Sequence, residues 1–272
     1  MNKDSHNWNI FWGQTKHVKP LSTKAELWSD LVWKVGLEYW HDLFLELASG
    51  KNLLECGCGS ARLSQYMASR GFECTLLDNS EEAIQVAKSN FSTLSLPAKF
   101  HVGNINHLPF EDGQFDIVFS GGVLHHFETL EAPIQEMVRI LKPGGLFAAT
   151  MITKKFSCQT LANMEIRLAH FMRDLCHGKF EEALKSFTPQ EPFYVNSIPL
   201  KTYKSICEKA GLQSVVGLGT SPFPGLSLPS RGQKLYGRLM KKCLPFWKKF
   251  DTSPAQWTEI WGSVFRLYGI KK

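Results

Sequence analysis

The 272-residue chain is 43% hydrophobic and 21% charged, an ordinary globular balance that excludes a disordered polymer. No stretch approaches the roughly eighteen apolar residues of a membrane-spanning helix, and Met1 to Trp12 has no uninterrupted apolar core of a secretion signal, so a cytoplasmic protein is expected. The net charge of +6 is local: Arg231, Lys234, Arg238, Lys241, Lys242, Lys248 and Lys249 lie between 221 and 250 with no acid, so charge alone does not indicate a nucleic-acid partner.

In chain order, a tryptophan-rich polar start leads to Thr23-Lys24-Ala25-Glu26, the pattern of a capping box. Leu27, Leu31, Val35, Tyr39, Leu43 and Leu47 then recur every four residues, a helical stripe read as two short helices bent near Gly36. Trp28, Trp33, Tyr39 and Trp40 in this stretch are expected to pack as core.

From residue 51 strands and helices alternate. Strands are expected at 52–55, 73–77, 99–102, 115–120 and 146–152. Helices are expected at 61–69, at 80–88 with Ser80 as cap, and at 132–141, where Lys142-Pro143-Gly144-Gly145 stops the last one. This alternation implies a mainly parallel sheet covered on both faces. Beyond it, 154–186 reads as helical, 200–210 as a helix and 212–218 as a strand, and 263–270 alternates like an edge strand. Within 228–250, apolar positions interleave with the lysines and arginines as in a basic amphipathic helix that Pro229 starts and Pro245 breaks or kinks. That pattern suits either a lid with a solvated face or peripheral contact with an anionic membrane.

The chemistry centres on Glu55-Cys56-Gly57-Cys58-Gly59, between the first strand and its helix. Glycines there let the backbone turn sharply and lie against a flat ligand. The same loop serves dinucleotides, but position 62 is Arg62, not the third glycine of that pattern. Glu55 can accept from an ammonium group, which suits an amino-acid cofactor better than a pyrophosphate, and Asp78 ends the second strand where a carboxylate holds ribose hydroxyls. The seven cysteines show no disulfide spacing, and Cys56 and Cys58 stand too close for a usual zinc pair, so no metal is expected.

Five blocks in order, Leu54–Gly59, Leu77–Ser80, Leu108–Asp116, Val123–Phe127 and Leu141–Gly145, make Leu53–Ile152 resemble the core of class I S-adenosylmethionine-dependent methyltransferases, especially the small-molecule branch related to quinone-biosynthesis methyltransferases. The resemblance implies an α/β, Rossmann-like, doubly wound, seven-stranded, mainly parallel sheet with an antiparallel C-terminal edge strand and helical cap insertions. It divides the chain into an N-terminal helical cap segment, 1–49, and a methyltransferase domain, 50–272, with cap insertions at about 154–199 and 221–258.

For the site, the resemblance implies that Glu55, Gly57 and Gly59 cradle the methionine half of S-adenosylmethionine and that Asp78 binds its ribose. Asn79, Asn104 and Ile105 would flank the adenine, and Ser120 would sit beside the sulfonium. Relatives commonly carry aspartate at position 104; Asn104 can still offer a carbonyl, without charge assistance. His125 and His126 follow the fourth strand, at the ligand-binding edge of such sheets, where they either line the pocket or take a proton from the nucleophile. The expected activity is methyl transfer to oxygen, nitrogen or carbon of a small, partly apolar molecule by in-line displacement. An RNA or protein methyltransferase and a catalytically silent binder of the cofactor are the alternatives. The sequence lacks the Asn/Asp-Pro-Pro-aromatic signature of many amine methylators and any appended RNA-binding module.

Overall fold

The computed structural model describes residues 3–14, 27–152, 154–185, 193–226 and 228–272; the capping-box positions 23–26 lie outside them. The strands are β1 (Asn52–Cys56), β2 (Glu73–Asp78), β3 (Lys99–Val102), β4 (Phe115–Gly121), β5 (Leu141–Met151), β6 (Leu212–Thr220) and β7 (Val264–Lys271). They form one seven-stranded sheet in the order β3-β2-β1-β4-β5-β7-β6. The first five are mutually parallel, and β7 runs antiparallel to both neighbours, with β6 outermost beside it. This is the doubly wound, Rossmann-like architecture expected, with strand order reversing between β1 and β4; the antiparallel C-terminal strand β7 lies inside the antiparallel edge, paired on both sides, and β6 is outermost.

Period-two alternation builds both layers. Leu53, Leu76, Ile117, Phe119 and Ala148 face helices α2 (Trp28–Leu47), α3 (Arg62–Ala68) and α4 (Glu81–Thr93). Their neighbours Leu54, Leu77, Val118, Phe147 and Ala149 face α5 (Glu131–Arg139) and α8 (Leu200–Lys209). Each such fully buried large apolar side chain contributes about 1.5–3 kcal/mol. Glu55 and Asp78, at the carboxyl ends of these two strands, are therefore held by strands that cannot shift register without exposing their leucines.

Three differences from the sequence reading have physical causes. The helix at 28–47 is continuous through Gly36, because Leu37, Trp40, Leu43 and Phe44 all bury on one side and outweigh the glycine's cost of about 1 kcal/mol. Trp28 and Trp40 are core, whereas Trp33 is 44% exposed and lies under the Arg62 guanidinium at 4.9 Å. Strand β5 starts five residues early, since Leu141 already pairs with Phe115 and a register shift absorbs Pro143-Gly144.

The remaining helices, α1 (Lys3–Gly13), α6 (Cys158–Cys176), α7 (Phe180–Lys185), α9 (Ser230–Lys242), α10 (Leu244–Asp251) and α11 (Gln256–Trp261), surround this core. Helices α6–α7 and α9–α11 leave from the ends of β5 and β6, so both groups start at the carboxyl edge of the sheet. Pro229 caps α9, and Pro245 in the first turn of α10 separates the two helices, as expected. Trp247 of α10 packs with Trp28 and Val35 of α2. Asp251 accepts from Ser221 N (2.9 Å) and Trp247 Nε1 (3.2 Å) and pairs with buried Arg266 of β7 at 3.0 Å, tying the cap to the sheet.

Candidate active site

The chain leaves β1 through a turn that the backbone of β2 holds. Gly57 N and Cys58 N both donate to Leu77 O, at 2.7 and 3.1 Å. Gly57 (φ +68°), Gly59 (φ +49°) and the non-glycine Ala61 (φ +57°) are left-handed, so the loop winds sharply before α3 begins at Arg62. A Cβ at Gly57 would strike the Val123 side chain, and one at Gly59 would lie 2.5 Å from Cζ2 of Trp12. Helix α1 thus rests an indole directly on the loop.

Two buried carboxylates bracket this turn. Asp78 accepts Gly59 N through Oδ2 (2.9 Å) and Ser80 N through Oδ1 (3.0 Å). Burial raises its pKa, and the backbone N–H groups of Gly59, Ser80 and Asn79 pull it back down. Glu55 accepts both Ser64 N (3.1 Å) and Ser64 Oγ (2.5 Å) on Oε2. Burial pushes its pKa up to about 7, opposed by Ser64 and reinforced slightly by the Asp78 charge. Ser80 caps α4 by accepting Ala83 N at 3.2 Å, leaving Asp78 to the loop.

The other expected donor-site residues gather around the same edge. Gly103 N donates to Asp78 O (2.9 Å), bringing the turn after β3 beside the end of β2. Asn104 is exposed there, with Oδ1 accepting Asn106 N at 2.9 Å, while Ile105 is buried in the core and Asn79 is exposed. Ser120, at the end of β4, is fully buried, and its hydroxyl has no hydrogen-bond partner among the described residues. A buried hydroxyl without a partner is costly. Glycine cradle, flanking acids and orphaned hydroxyl together suit a ligand with an amino-acid end and a ribose.

His125 and His126 occupy a single 3-10 turn, Leu124–His126, with ring centroids 4.1 Å apart. They are chemically unlike. His125 is 4% exposed and accepts Ile152 N at Nδ1 (3.4 Å); burial, then the neighbouring His126, lower its pKa to about 3. His126 Nδ1 lies 2.6 Å from Tyr194 O, and a carbonyl only accepts, so Nδ1 carries a proton. Around it Trp8 of α1 stacks on Phe193 (3.8 Å, 6°) and meets His126 edge-on at 5.1 Å.

Sequence reasoning did not find Ser64, Ala61 or Asn196. Asn196, 2% exposed, bonds the histidine turn from the cap. None of the three sits in a pattern that marks a polar site. Asp116 is structural: it accepts Asn52 N (3.0 Å) and Lys142 Nζ (2.7 Å). Among the described residues, no three His, Cys, Asp or Glu side chains group as a metal site, and no helix is long and apolar enough to cross a membrane.

The cap exposes an unusual surface. Leu235 and Leu239 on α9 are 67% and 54% exposed, among exposed Arg231, Lys234, Arg238 and Lys242. Phe246, Trp257, Ile260 and Trp261 line an adjacent apolar groove.

Residues 54–149 match the family profile described as "Methyltransferase domain". A ubiquinone biosynthesis O-methyltransferase of Azoarcus sp. (strain BH72) is 27% identical over 230 residues, spanning 84% of this chain and 87% of the relative. An uncharacterized methyltransferase of Synechocystis sp. is 35% identical over 118 residues, 42% of this chain and 54% of its own length. Among solved structures, a SAM-dependent methyltransferase from Aquifex aeolicus superposes with a TM-score of 0.51 at 15% identity, covering 87% of this chain and 89% of that one.

Proposed function

The chain carries a class I S-adenosylmethionine-dependent methyltransferase domain, and from that premise we propose that it methylates an oxygen of a small, partly apolar, quinone- or lipid-like acceptor. The observation that carries this reading is the bond from Gly59 N to Asp78, which unites the glycine loop with a ribose-binding carboxylate at the strand-order reversal. In it, Glu55, Gly57 and Gly59 would hold the methionine half, Asp78 the ribose and Asn79, Asn104 and Ile105 the adenine, with Ser120 on the sulfonium side. The relatives named for O-methylation support oxygen as the target.

Bound S-adenosylmethionine supplies an electrophilic methyl group on a positive sulfur. The chain's own part is to align and dry the nucleophile. Trp8, Phe193 and the turn after β4 would exclude water, and holding the nucleophile in a fixed orientation would supply most of the acceleration. His126 would take the proton of the acceptor oxygen at Nε2 as that oxygen gains the methyl group the bound donor would supply. His125 shapes the pocket as a neutral ring.

Calorimetry with S-adenosylmethionine and S-adenosylhomocysteine tests the donor half; absence of binding at millimolar ligand overturns it. Incubation of a metabolite extract with isotopically labelled methyl donor, followed by mass spectrometry, identifies the acceptor. Label found only in RNA or protein would reverse the small-molecule assignment.

The exposed Leu235–Leu239 pair among basic residues favours a second reading, of place: a cytoplasmic enzyme whose segment 228–250 touches an anionic membrane. Sedimentation with phosphatidylglycerol vesicles, lost with neutral vesicles and in Leu235→Asp/Leu239→Asp, is the expected result. Equal binding by wild type and variant removes this reading.

A further inference from the structure

Asn196 uses its backbone N–H and both ends of its side-chain amide. Its backbone N–H donates to His125 O (2.7 Å), and Nδ2 donates to Leu124 O (3.3 Å) and Phe127 O (2.9 Å). Oδ1 accepts Ile198 N (3.2 Å) and the Tyr203 hydroxyl (3.1 Å). The partners settle the amide's orientation: a flipped side chain would set its oxygen against two carbonyls and its NH2 against an N–H. Tyr203 is fully buried on α8, so the asparagine is fastened from the core side as well.

A 3-10 turn leaves its last carbonyls without partners inside the turn. Here one cap residue takes the carbonyls of Leu124, His125 and Phe127, which flank His126 on both sides. Two residues earlier the same segment presents Tyr194 O to His126 Nδ1 at 2.6 Å. The backbone that carries His126 and the carbonyl at its Nδ1 are thus locked together through one residue, by its backbone N–H and its side chain.

We propose that Asn196 is a positioning residue for His126, holding Tyr194 O against Nδ1 so that the proton stays there and Nε2 is kept as the proton-accepting atom. This rests on the reading of His126 as the base. Histidine tautomers are set by the bond made at the other ring nitrogen. Asn196→Ala keeps only the backbone bond to His125 O, which loosens the segment bearing Tyr194 and weakens its carbonyl's hold on Nδ1.

The test is long-range proton–nitrogen correlation NMR on the full chain labelled with nitrogen-15 histidine, with His126 assigned from the signal missing in His126→Gln. Wild type should show His126 protonated at Nδ1. Asn196→Ala should show averaged ring-nitrogen shifts. Tyr203→Phe removes one bond and keeps both Nδ2 donors, so it should fold and move the shifts part of the way. A mixed tautomer in wild type, or unchanged His126 shifts in Asn196→Ala, overturns the proposal; if Asn196→Ala does not fold, unchanged shifts in Tyr203→Phe do so. If the tautomer responds while His126→Gln keeps full turnover, the positioning stands and the base assignment falls.

Discussion

Asp78 accepts the backbone N–H of Gly59, so the carboxylate that ends β2 is also the tether of the loop that follows β1. Asp78→Ala removes that bond and the one from Ser80 together. A charge-assisted hydrogen bond contributes about 1.5–3 kcal/mol, so affinity for S-adenosylhomocysteine should fall roughly 10- to 100-fold by calorimetry. Unchanged affinity would remove Asp78 from the donor site.

Glu55 predicts an opposition between stability and binding. Its folded pKa of about 7 stands above the ordinary 4.5, so the folded state holds the proton more tightly. The resulting cost is absent below pH 4.5, grows as pH rises toward 7 and is complete above it. Glu55→Gln should therefore be more stable than wild type at pH 8, on the order of 3 kcal/mol, with no difference at pH 4. The same variant should bind S-adenosylmethionine more weakly at pH 8, having lost the partner of its ammonium group. Denaturant titrations at both pH values check the first statement and calorimetry the second.

Gly57 tests the loop's geometry. Alanine there must adopt φ +68° and push the Val123 side chain aside. Left-handed strain and overpacking together should cost about 2–4 kcal/mol, read as a lower denaturant midpoint with an unchanged slope. A variant as stable as wild type would show that the turn relaxes freely.

The two histidines should separate by assay. His125 has a folded pKa of about 3 against an ordinary 6.5, so stability falls as pH drops through 6.5 and is fully lost to this group only near 3. His125→Gln should flatten that acid limb in unfolding measurements. His126→Gln should instead lower turnover by about 10²–10⁴-fold while melting normally. The reverse pattern would exchange their roles.

The geometry of the glycine loop and its flanking strand and helix ends was legible because its cues are local. Gly57 and Gly59 answer to a turn, Asp78 to a strand end, and Ser80 to a helix start, each within a few residues of its cue. Asn196 was not, since its partners lie about seventy residues away and nothing nearby marks it. Ser64 was equally hidden: a serine inside a short helix reads as neutral until Glu55 is seen beside it. Arg62, read only as the residue in place of a third glycine, lies over the Trp33 ring. The break expected at Gly36 failed for the opposite reason, local propensity being overruled by burial on one face of α2.

Trp8 and Trp12 stand one helical turn apart on α1, so a single short rod bears on the glycine loop at one point and on Phe193 and His126 at the other. Lifting the indole of Trp12 from Gly59 must also disturb the stack at Trp8. On the proposed reading, donor and acceptor would share a coupling free energy through α1, each gaining from the other in equal measure. In protein labelled with fluorotryptophan, the Trp8 signal should move when S-adenosylhomocysteine is added, and stay still in Trp12→Ala. A helix outside the matched domain would thereby act as the balance arm between donor and acceptor.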